Sequence, residues 1–503
     1  MQKKGQAPGS VAADSFSVPY LILSIASAVA HHSLVILLTQ YSRLAACLNV
    51  RPLSPEPRLL LKTKAMAKVI SFEQVNPAAA GIDIGAQKIF VSPDGRTVSS
   101  YGTFTEDYRK LVADLKALGI ERVCMEATGV YWITLYEFLE QAGLEVCLVN
   151  PKEVSQVKGR KTDVKDCQWI QQKFSAGLVR QSYVPAGTLK ELRMMMRERK
   201  DIIEMGSAYV NKMSKCLELM NLKLTGLIAQ IHGASGLRMI EAIIEGERDA
   251  GRLVALCDKR IIEAKSEDLV KALEGNFNES WIFLLKQNLH MWRLHQHQLK
   301  TIDERIEVLL DKLADGKAVV TPTTAPKPIR HHKPQINGLH QKLLTICGVN
   351  GTTISGINDY TMLRLLGEVG TDMSRFPTVK HFVSYCQLAP GCHQSGKKRR
   401  RSSTGNGNPI GQIFREVAFG LMNSKDIAIG AFMRRIRGRK DSRVAVKAGA
   451  RKLAIAYYDL HTKGVEYVEQ GVARYNEQMK AREQIILEKL AAKHNLKLVP
   501  VAG

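Results

Sequence analysis

From about residue 78 the chain alternates short apolar runs with helical stripes. Ala80 to Phe90, in AAGIDIGAQKIFVSPDG, reads as one apolar strand leading into a turn at Pro93, Asp94 and Gly95, and RTVSSYGTFT alternates weakly as its returning partner. EDYRKLVADLKALG then sets Tyr108, Leu111, Val112, Leu115 and Leu118 on one helical face and stops at Gly119. ERVCMEATG reads as a strand, YWITLYEFLEQAG as a helix with Trp132, Leu135, Tyr136 and Leu139 on a shared face, and LEVCLVNP as a further strand. The order of hairpin, helix, strand, helix, strand predicts an α/β layer with a mixed sheet over 78–185.

The pattern then changes period. Over 186–317 an apolar stripe takes in Leu192, Met195, Ile202, Met213, Leu217, Met220, Leu224 and Leu227 before His232 and Gly233 interrupt it. A second stretch places Trp281, Leu285, Asn288, Trp292, His295, Leu299, Ile302, Ile306, Leu309 and Leu313 at alternating steps of four and three, a heptad seam whose polar members are Asn288 and His295. Such a seam suits pairing with a second copy of the chain, although a helix buried against its own neighbour would show nearly the same stripe. Residues 233–280 carry only short helical patterns and look like an insertion between the two arms. The prolines of 318–338 exclude a helix or central strand, so this stretch reads as a linker. It leads to a small, mainly helical domain over 339–465 and a helical tail over 466–503. In the small domain Gly348, Val349, Asn350 and Gly351 resemble the turn of a helix-hairpin-helix element, whose amides can approach a phosphate.

Residues 1–65 differ from the rest. No formal charge occurs between Asp14 and Arg43, and VPYLILSIASAVAHHSLVILLT is long enough to cross a bilayer, but His31 and His32 would sit unpartnered near its centre. A proline-rich stretch follows, and from Met66 the composition is that of an ordinary soluble start. The segment is expected to lie outside the functional unit, with a membrane anchor or signal peptide as alternatives.

Composition sharpens the functional question. The chain has 503 residues, room for roughly three or four domains. Its 72 Lys plus Arg exceed 48 Asp plus Glu by 24, a surplus that favours a polyanionic partner and excludes an acidic, self-solvating chain. Nine irregularly spaced cysteines do not make a secreted disulfide framework, so a reduced, cytoplasmic setting is expected, and Cys386 and Cys392 with His381 and His393 lack the spacing of a compact zinc site.

Against this basic background, four carboxylates stand where an α/β layer presents chemistry. Asp83 lies inside the first strand, Glu126 closes the strand before Thr128 and Gly129, and Asp163 and Asp166, three apart in GRKTDVKDCQWIQQKF, share one side of a helix that starts there. Converging carboxylates repel unless divalent cations neutralise them. Two cations about 4 Å apart are the usual device for displacing an oxygen from a phosphodiester, and hard oxygen donors favour magnesium or manganese. Capping a turn, lining a sheet edge or starting a helix would place the same residues without any chemistry.

The highest charge density comes later. Residues 397–452 hold 16 Lys or Arg against Glu416, Asp426 and Asp441. That density would gain from counterion release on a phosphate backbone. Lys397, Lys398, Arg399, Arg400 and Arg401 lie in HQSGKKRRRSSTGNGNP, a polar stretch expected to lie as a loop against nucleic acid. Ser395, Ser402 and Ser403 in it are candidate nucleophiles.

GIDIG, MEATGVYW, LVNPKEVSQVKGRKTDVKDCQWI and, much later, FVSYCQLAPGCHQSGKKRR together resemble the insertion-sequence-110 family of transposases, relatives of the Piv-type DNA invertases, over residues 80 to about 465. CQLAPG stands where family members more usually carry AGLTP-like wording. The resemblance implies a RuvC-like, ribonuclease-H-type N-terminal domain whose DEDD carboxylates fall on Asp83, Glu126, Asp163 and Asp166, with magnesium or manganese as cofactor. It further implies a C-terminal transposase domain whose nucleophile falls on Ser395. The partners it implies are element and target DNA, a structured guide RNA and further copies of the chain, with no obligate membrane partner, in a nucleoid-associated setting. A metal-dependent nuclease in which the serine only touches the backbone is an alternative. So is a non-enzymatic nucleic-acid-binding protein, which explains the charge but not four acidic residues set into an α/β sheet.

Overall fold

The computed structural model describes residues 74–499, apart from 155–161, 323–324, 391–392, 396–397, 401–407 and 425–426. The expectations for residues 1–65 therefore lie outside the described residues. Among the described residues no helix is long and apolar enough to cross a membrane. The chain divides into two units, Met1–Ser182 and Tyr183–Gly503.

The first unit is a five-stranded mixed sheet with the order β3-β2-β1-β4-β5. Its strands are β1 (Ala79–Ile84), β2 (Ile89–Ser92), β3 (Ser99–Tyr101), β4 (Arg122–Glu126) and β5 (Glu145–Val149). β1, β4 and β5 run parallel, whereas β2 and β3 are antiparallel neighbours on one side. This is a ribonuclease-H-like arrangement. The single strand expected over Ala80–Phe90 is in fact two, because the exposed run Gly85–Lys88 folds back with the Gly85 amide donating to the Lys88 carbonyl at 2.9 Å. Helices α1 (Thr105–Ala117) and α2 (Trp132–Gln141) bury Leu111, Leu115, Leu135 and Leu139, the stripe that the sequence pattern marks. A short helix, α3 (Pro151–Val154), follows β5, and α4 (Asp163–Ser175) completes the unit.

α4 lies directly on β1, and Gly81 is what permits it. A β-carbon at 81 would overlap the Cys167 carbonyl oxygen and the Gln171 amide and would sit 2.8 Å from Gln171 Cα, all of them backbone atoms that cannot swing aside. With contact this close, the Gln171 side chain reaches the Ala79 carbonyl at 3.1 Å, and Gln172 reaches the Gly95 carbonyl at 2.9 Å. Ile170 and Phe174 pack with Ala79, Cys124, Cys147 and Val149 on that face of the sheet.

In the second unit α5 (Gly187–Leu219) and α10 (Glu279–Ala314) have 33 and 36 residues, about 50 Å and 54 Å of helix. They run antiparallel: Arg305 bonds Glu191 at 3.1 Å, Arg199 bonds Asp303, and Asn288 lies 3.9 Å from the Cys216 sulfur. The heptad seam is thus filled within one chain. Its polar members are accommodated there too, since Asn288 donates to the Leu284 carbonyl and the buried His295 ring lies 5.2 Å from that of Tyr209. At one end of the pair Met213, Leu217, Leu285 and Leu289 form a core with Ile240, Leu253 and Leu269 of the insertion. The insertion itself is α6 (Leu224–Leu227), α7 (Ala234–Glu245), α8 (Ala250–Ala255) and α9 (Lys259–Ala272).

At the other end Leu192, Leu309 and Leu310 join a core built on α11 (Leu339–Cys347), α12 (Asp359–Val369), α13 (Val379–Tyr385), α14 (Pro409–Leu421), α15 (Ala428–Arg439) and α16 (Ser442–Lys463). Phe382, Phe414 and Tyr457 stack at its centre, with ring centroids 5.8–6.4 Å apart. The last helix, α17, spans Val465–Lys493. Gly348, at a left-handed φ of 69°, ends α11, and Asn350 accepts the Thr352 amide at 3.0 Å in the turn that follows.

Gly81→Ala is expected to destabilise the first unit by about 3 kcal/mol or more, because the added methyl meets backbone rather than a movable side chain. Denaturant unfolding of the full chain checks this, and an unchanged first transition would mean that α4 can slide. A second expectation concerns His461, which is packed 4.6 Å from the Tyr457 ring and held by burial at a pKa of about 4, below the ordinary 6.5. Between those two values the unfolded chain takes up a proton that the folded chain refuses. Stability of the second unit should therefore fall as pH drops from 6.5 toward 4, by on the order of 3 kcal/mol. His461→Phe should remove most of that slope in unfolding curves taken at the two ends of the window.

Candidate functional site

The close contact between β1 and α4 decides where the acidic residues go. Gly81 and Asp83 are two apart on β1 and so share the face that α4 covers, while Ile82 and Ile84 point into the opposite core. The parallel register runs Gly81↔Cys124 and Ile82↔Met125, and one further step places Asp83 beside Glu126 on the neighbouring strand. Both carboxylates are half-buried at the carboxyl end of the parallel strands. The Thr128 hydroxyl donates to Glu126 Oε1 at 3.4 Å, and the Ala127 amide is held by the Val149 carbonyl at 3.0 Å.

α4 brings the other pair. The Thr162 side chain caps it by accepting the Lys165 amide at 3.4 Å, so the helix begins at Asp163 and both aspartates fall in its first turn, where the helix dipole favours negative charge. Asp166 is half-buried and Asp163 is exposed. Cys167, one residue further on, reports on the charge around it. Burial raises its thiol to about 11, a hydrogen bond from the Gln168 amide opposes this, and the charges of Asp83 and Asp166 push it further up. Two carboxylates from separate elements therefore act on one buried sulfur.

The structure thus sets Asp83 beside Glu126 and places Asp166, half-buried, and Asp163, exposed, in the first turn of the helix that packs on β1. Among the described residues no three His, Cys, Asp or Glu side chains are drawn into a ready-made cation cage. The donors that converge are nevertheless all hard oxygens, and the single soft candidate, Cys167, stays protonated at neutral pH. That donor set fits a hydrated divalent cation of the magnesium type better than zinc.

Ser395 belongs to the second unit. It is the last residue of β6 (His393–Ser395), which pairs antiparallel with β7 (Lys398–Arg400) in the register Ser395↔Lys398, Gln394↔Arg399 and His393↔Arg400. The stretch expected to be a loop is in part a pair of antiparallel strands. Lys397, Arg401, Ser402 and Ser403 lie outside the described residues.

More basic surface follows than the cluster at 397–401. Arg437, Arg439 and Lys440 are exposed at the end of α15, and Arg443 is exposed at the start of α16. Arg415 and Lys447 are close enough that burial and then the Arg415 charge hold the Lys447 ammonium below its ordinary range. The sequence signal for these residues was the charge density over 397–452, spread along helices rather than confined to one loop.

Two family models match the chain. One, of the DEDD type and described as a transposase, covers residues 80–222 and takes in Asp83, Glu126, Asp163 and Asp166. The other, described as the transposase IS116/IS110/IS902 family, covers residues 352–424 and takes in Ser395 and the cluster after it. No curated protein matches the chain.

Proposed function

Because the chain belongs to the IS116/IS110/IS902 family of transposases, and so cleaves and recombines DNA, we propose that it does so through a serine–DNA covalent intermediate assisted by a divalent cation. The observation that carries the metal half of this reading is the geometry of the β1–α4 crossing, where Asp83 lies beside Glu126 at the carboxyl end of the parallel strands and the helix packed directly on β1 begins with Asp163 and Asp166. In this reading Asp83, Glu126, Asp163 and Asp166 hold magnesium or manganese. When bound, the ions supply charge stabilisation for a pentavalent phosphorus and lower the pKa of an attacking hydroxyl.

The serine step balances without an external energy source. Ser395 Oγ bonds to the scissile phosphorus, the bond from phosphorus to the 3′ oxygen breaks, and that oxygen leaves as a 3′ hydroxyl. A 3′ hydroxyl of another strand later attacks the same phosphorus and returns the proton to Ser395. The phosphodiester energy is kept in the covalent link, so no nucleotide hydrolysis is required. Lys397, Lys398, Arg399, Arg400 and Arg401 hold the backbone on either side.

The organisation that goes with this is a RuvC-like DEDD domain at 78–185, a helical region at 186–317 and a linker at 318–338. A transposase domain at 339–465, a tail at 466–503 and the segment 1–65 outside the functional unit complete it. A structured guide RNA would supply sequence recognition by base pairing, which suits a protein whose charge is basic and sequence-blind. Assembly of two or more copies would let the carboxylates of one copy serve the serine of another.

Asp83→Asn, Glu126→Gln, Asp163→Asn and Asp166→Asn should each abolish strand cleavage while the melting temperature holds or rises, since each change also relieves like-charge repulsion. Full cleavage by any one of them at ordinary magnesium removes that residue from the set. For the serine, the test is mass spectrometry of the peptide that carries nucleotide after trapping on a nicked substrate. Phosphate should be found on Ser395, and Ser395→Ala should lose the adduct with DNA binding near normal. Phosphate on Ser402 or Ser403, or no adduct from the unaltered chain, would overturn the assignment. Changing both Lys398 and Arg400 to alanine should do the reverse, weakening binding and lowering its salt dependence while the adduct still forms on saturating substrate.

A further inference from the structure

A second polar site lies within the helical unit, between α5 and α10, in a cavity of about 480 Å³. Its floor is Arg199, which is 2% exposed. The guanidinium bonds Asp303 at 2.6 Å and 3.2 Å and donates to the His332 carbonyl at 3.1 Å, yet its Nη1 is buried with no hydrogen-bond partner. The Asp303 carboxylate is fully engaged, since its Oδ2 also accepts the Gln335 amide at 2.9 Å. It is the one acidic side chain lining the cavity among the described residues, and the other charged or titratable groups there are Lys333, His331, His332 and His232. His232 Nδ1 is likewise buried without a partner.

The rest of the lining has a different character. Trp292, whose ring lies 6.1 Å from that of His232, and Leu299 offer an apolar face, and Gln296 brings an amide with both donor and acceptor. Cationic groups, a flat aromatic ring and an amide lining one cavity are the elements that recognise an unstacked nucleotide. The volume falls within the range of small-molecule sites. The mutual repulsion of the cations points the same way. Burial, followed by the charges of Arg199, His331, His232 and Arg364, holds His332 below its ordinary pKa, a conflict that a phosphate would relieve.

We infer that this cavity binds a single nucleotide unit, with its phosphate at the Arg199, His332 and Lys333 end and its base against Trp292. The site is separate from the carboxylates and from Ser395, and its occupancy does not depend on strand cleavage. The unit could be a free nucleotide or an unpaired nucleotide of a bound strand, which share this chemistry.

Isothermal titration of the full chain with adenosine 5′-monophosphate, inorganic phosphate and a single-stranded hexanucleotide tests it. The monophosphate should bind saturably at low salt, at least about tenfold more tightly than phosphate, and Lys333→Ala and Trp292→Leu should each weaken it by about tenfold. If the hexanucleotide displaces the monophosphate, the natural occupant is a strand nucleotide; if it does not, the occupant is a free one. Absence of saturable binding up to about 10 mM would mean that the cavity holds only water and would overturn the inference. So would binding that neither variant changes, and phosphate binding as tightly as the monophosphate would overturn the base half. Lys333 is exposed, so its variant stays informative if Trp292→Leu proves unstable. Asp83→Asn should bind the monophosphate normally, which separates failure here from failure of the carboxylate site.

Discussion

Everything at the acidic site follows from how closely α4 approaches β1. Helices usually rest on sheets through interposed side chains, but here backbone meets backbone at Gly81. The approach draws the first turn of α4 down toward the carboxyl end of the strand, so Asp166 reaches the neighbourhood of Asp83. The amides of Gln171 and Gln172 then bond strand and turn carbonyls that the helix would otherwise leave unpaired. Without that contact the four carboxylates would be ordinary surface residues of a sheet edge and a helix start.

Charge is handled in opposite ways in the two units. In the first, Asp83 and Glu126 lie on adjacent strands beside the start of α4, like charges whose approach a cation would ease. In the second, buried polar side chains are paired across helices. Arg199 is paired with Asp303, His340 lies 2.7 Å from Asp359, and Glu368 is held by Arg197 at 2.9 Å on both oxygens. Breaking one partner of such a buried pair costs on the order of 3–5 kcal/mol, so these pairs fix helix register even where they add little net stability. The Arg199–Asp303 pair also anchors the segment at His332 and Gln335, which is why a chain stretch rich in proline holds a defined path there.

The sequence pattern anticipated a mixed α/β layer in this element order because strands and helix stripes are local signals, and it marked Asp83, Glu126, Asp163 and Asp166 as candidates without giving the strand order that places them. It misread the first strand as continuous, since the apolar run resumes at Ile89 and hides the four exposed residues at Gly85–Lys88. The heptad seam was visible, but periodicity does not say whose helix fills it, and the antiparallel partner lay some hundred positions upstream in the same chain. The β6–β7 hairpin was hidden by its own composition, because HQS and KRR carry no apolar alternation to mark them as strands. The cavity at Arg199 could not be read at all. It is assembled from α5, α10, the segment after α6 and the proline-rich stretch, none of which announces the others.

The basic surplus must be reconciled with an acidic centre, and range resolves it. At physiological salt, exposed charges more than about 8 Å apart are largely screened, so the cations over 397–452 do not act at long range. They act instead on what they touch, the phosphate backbone. On the proposed reading, a bound nucleic acid would bring its own negative charge to the carboxylates at Asp83, Glu126 and Asp166. Binding and catalysis therefore oppose each other electrostatically unless a cation enters with the substrate. On the proposed reading, the basic surface would supply the affinity that overcomes this repulsion, and the acidic residues would hold the metal.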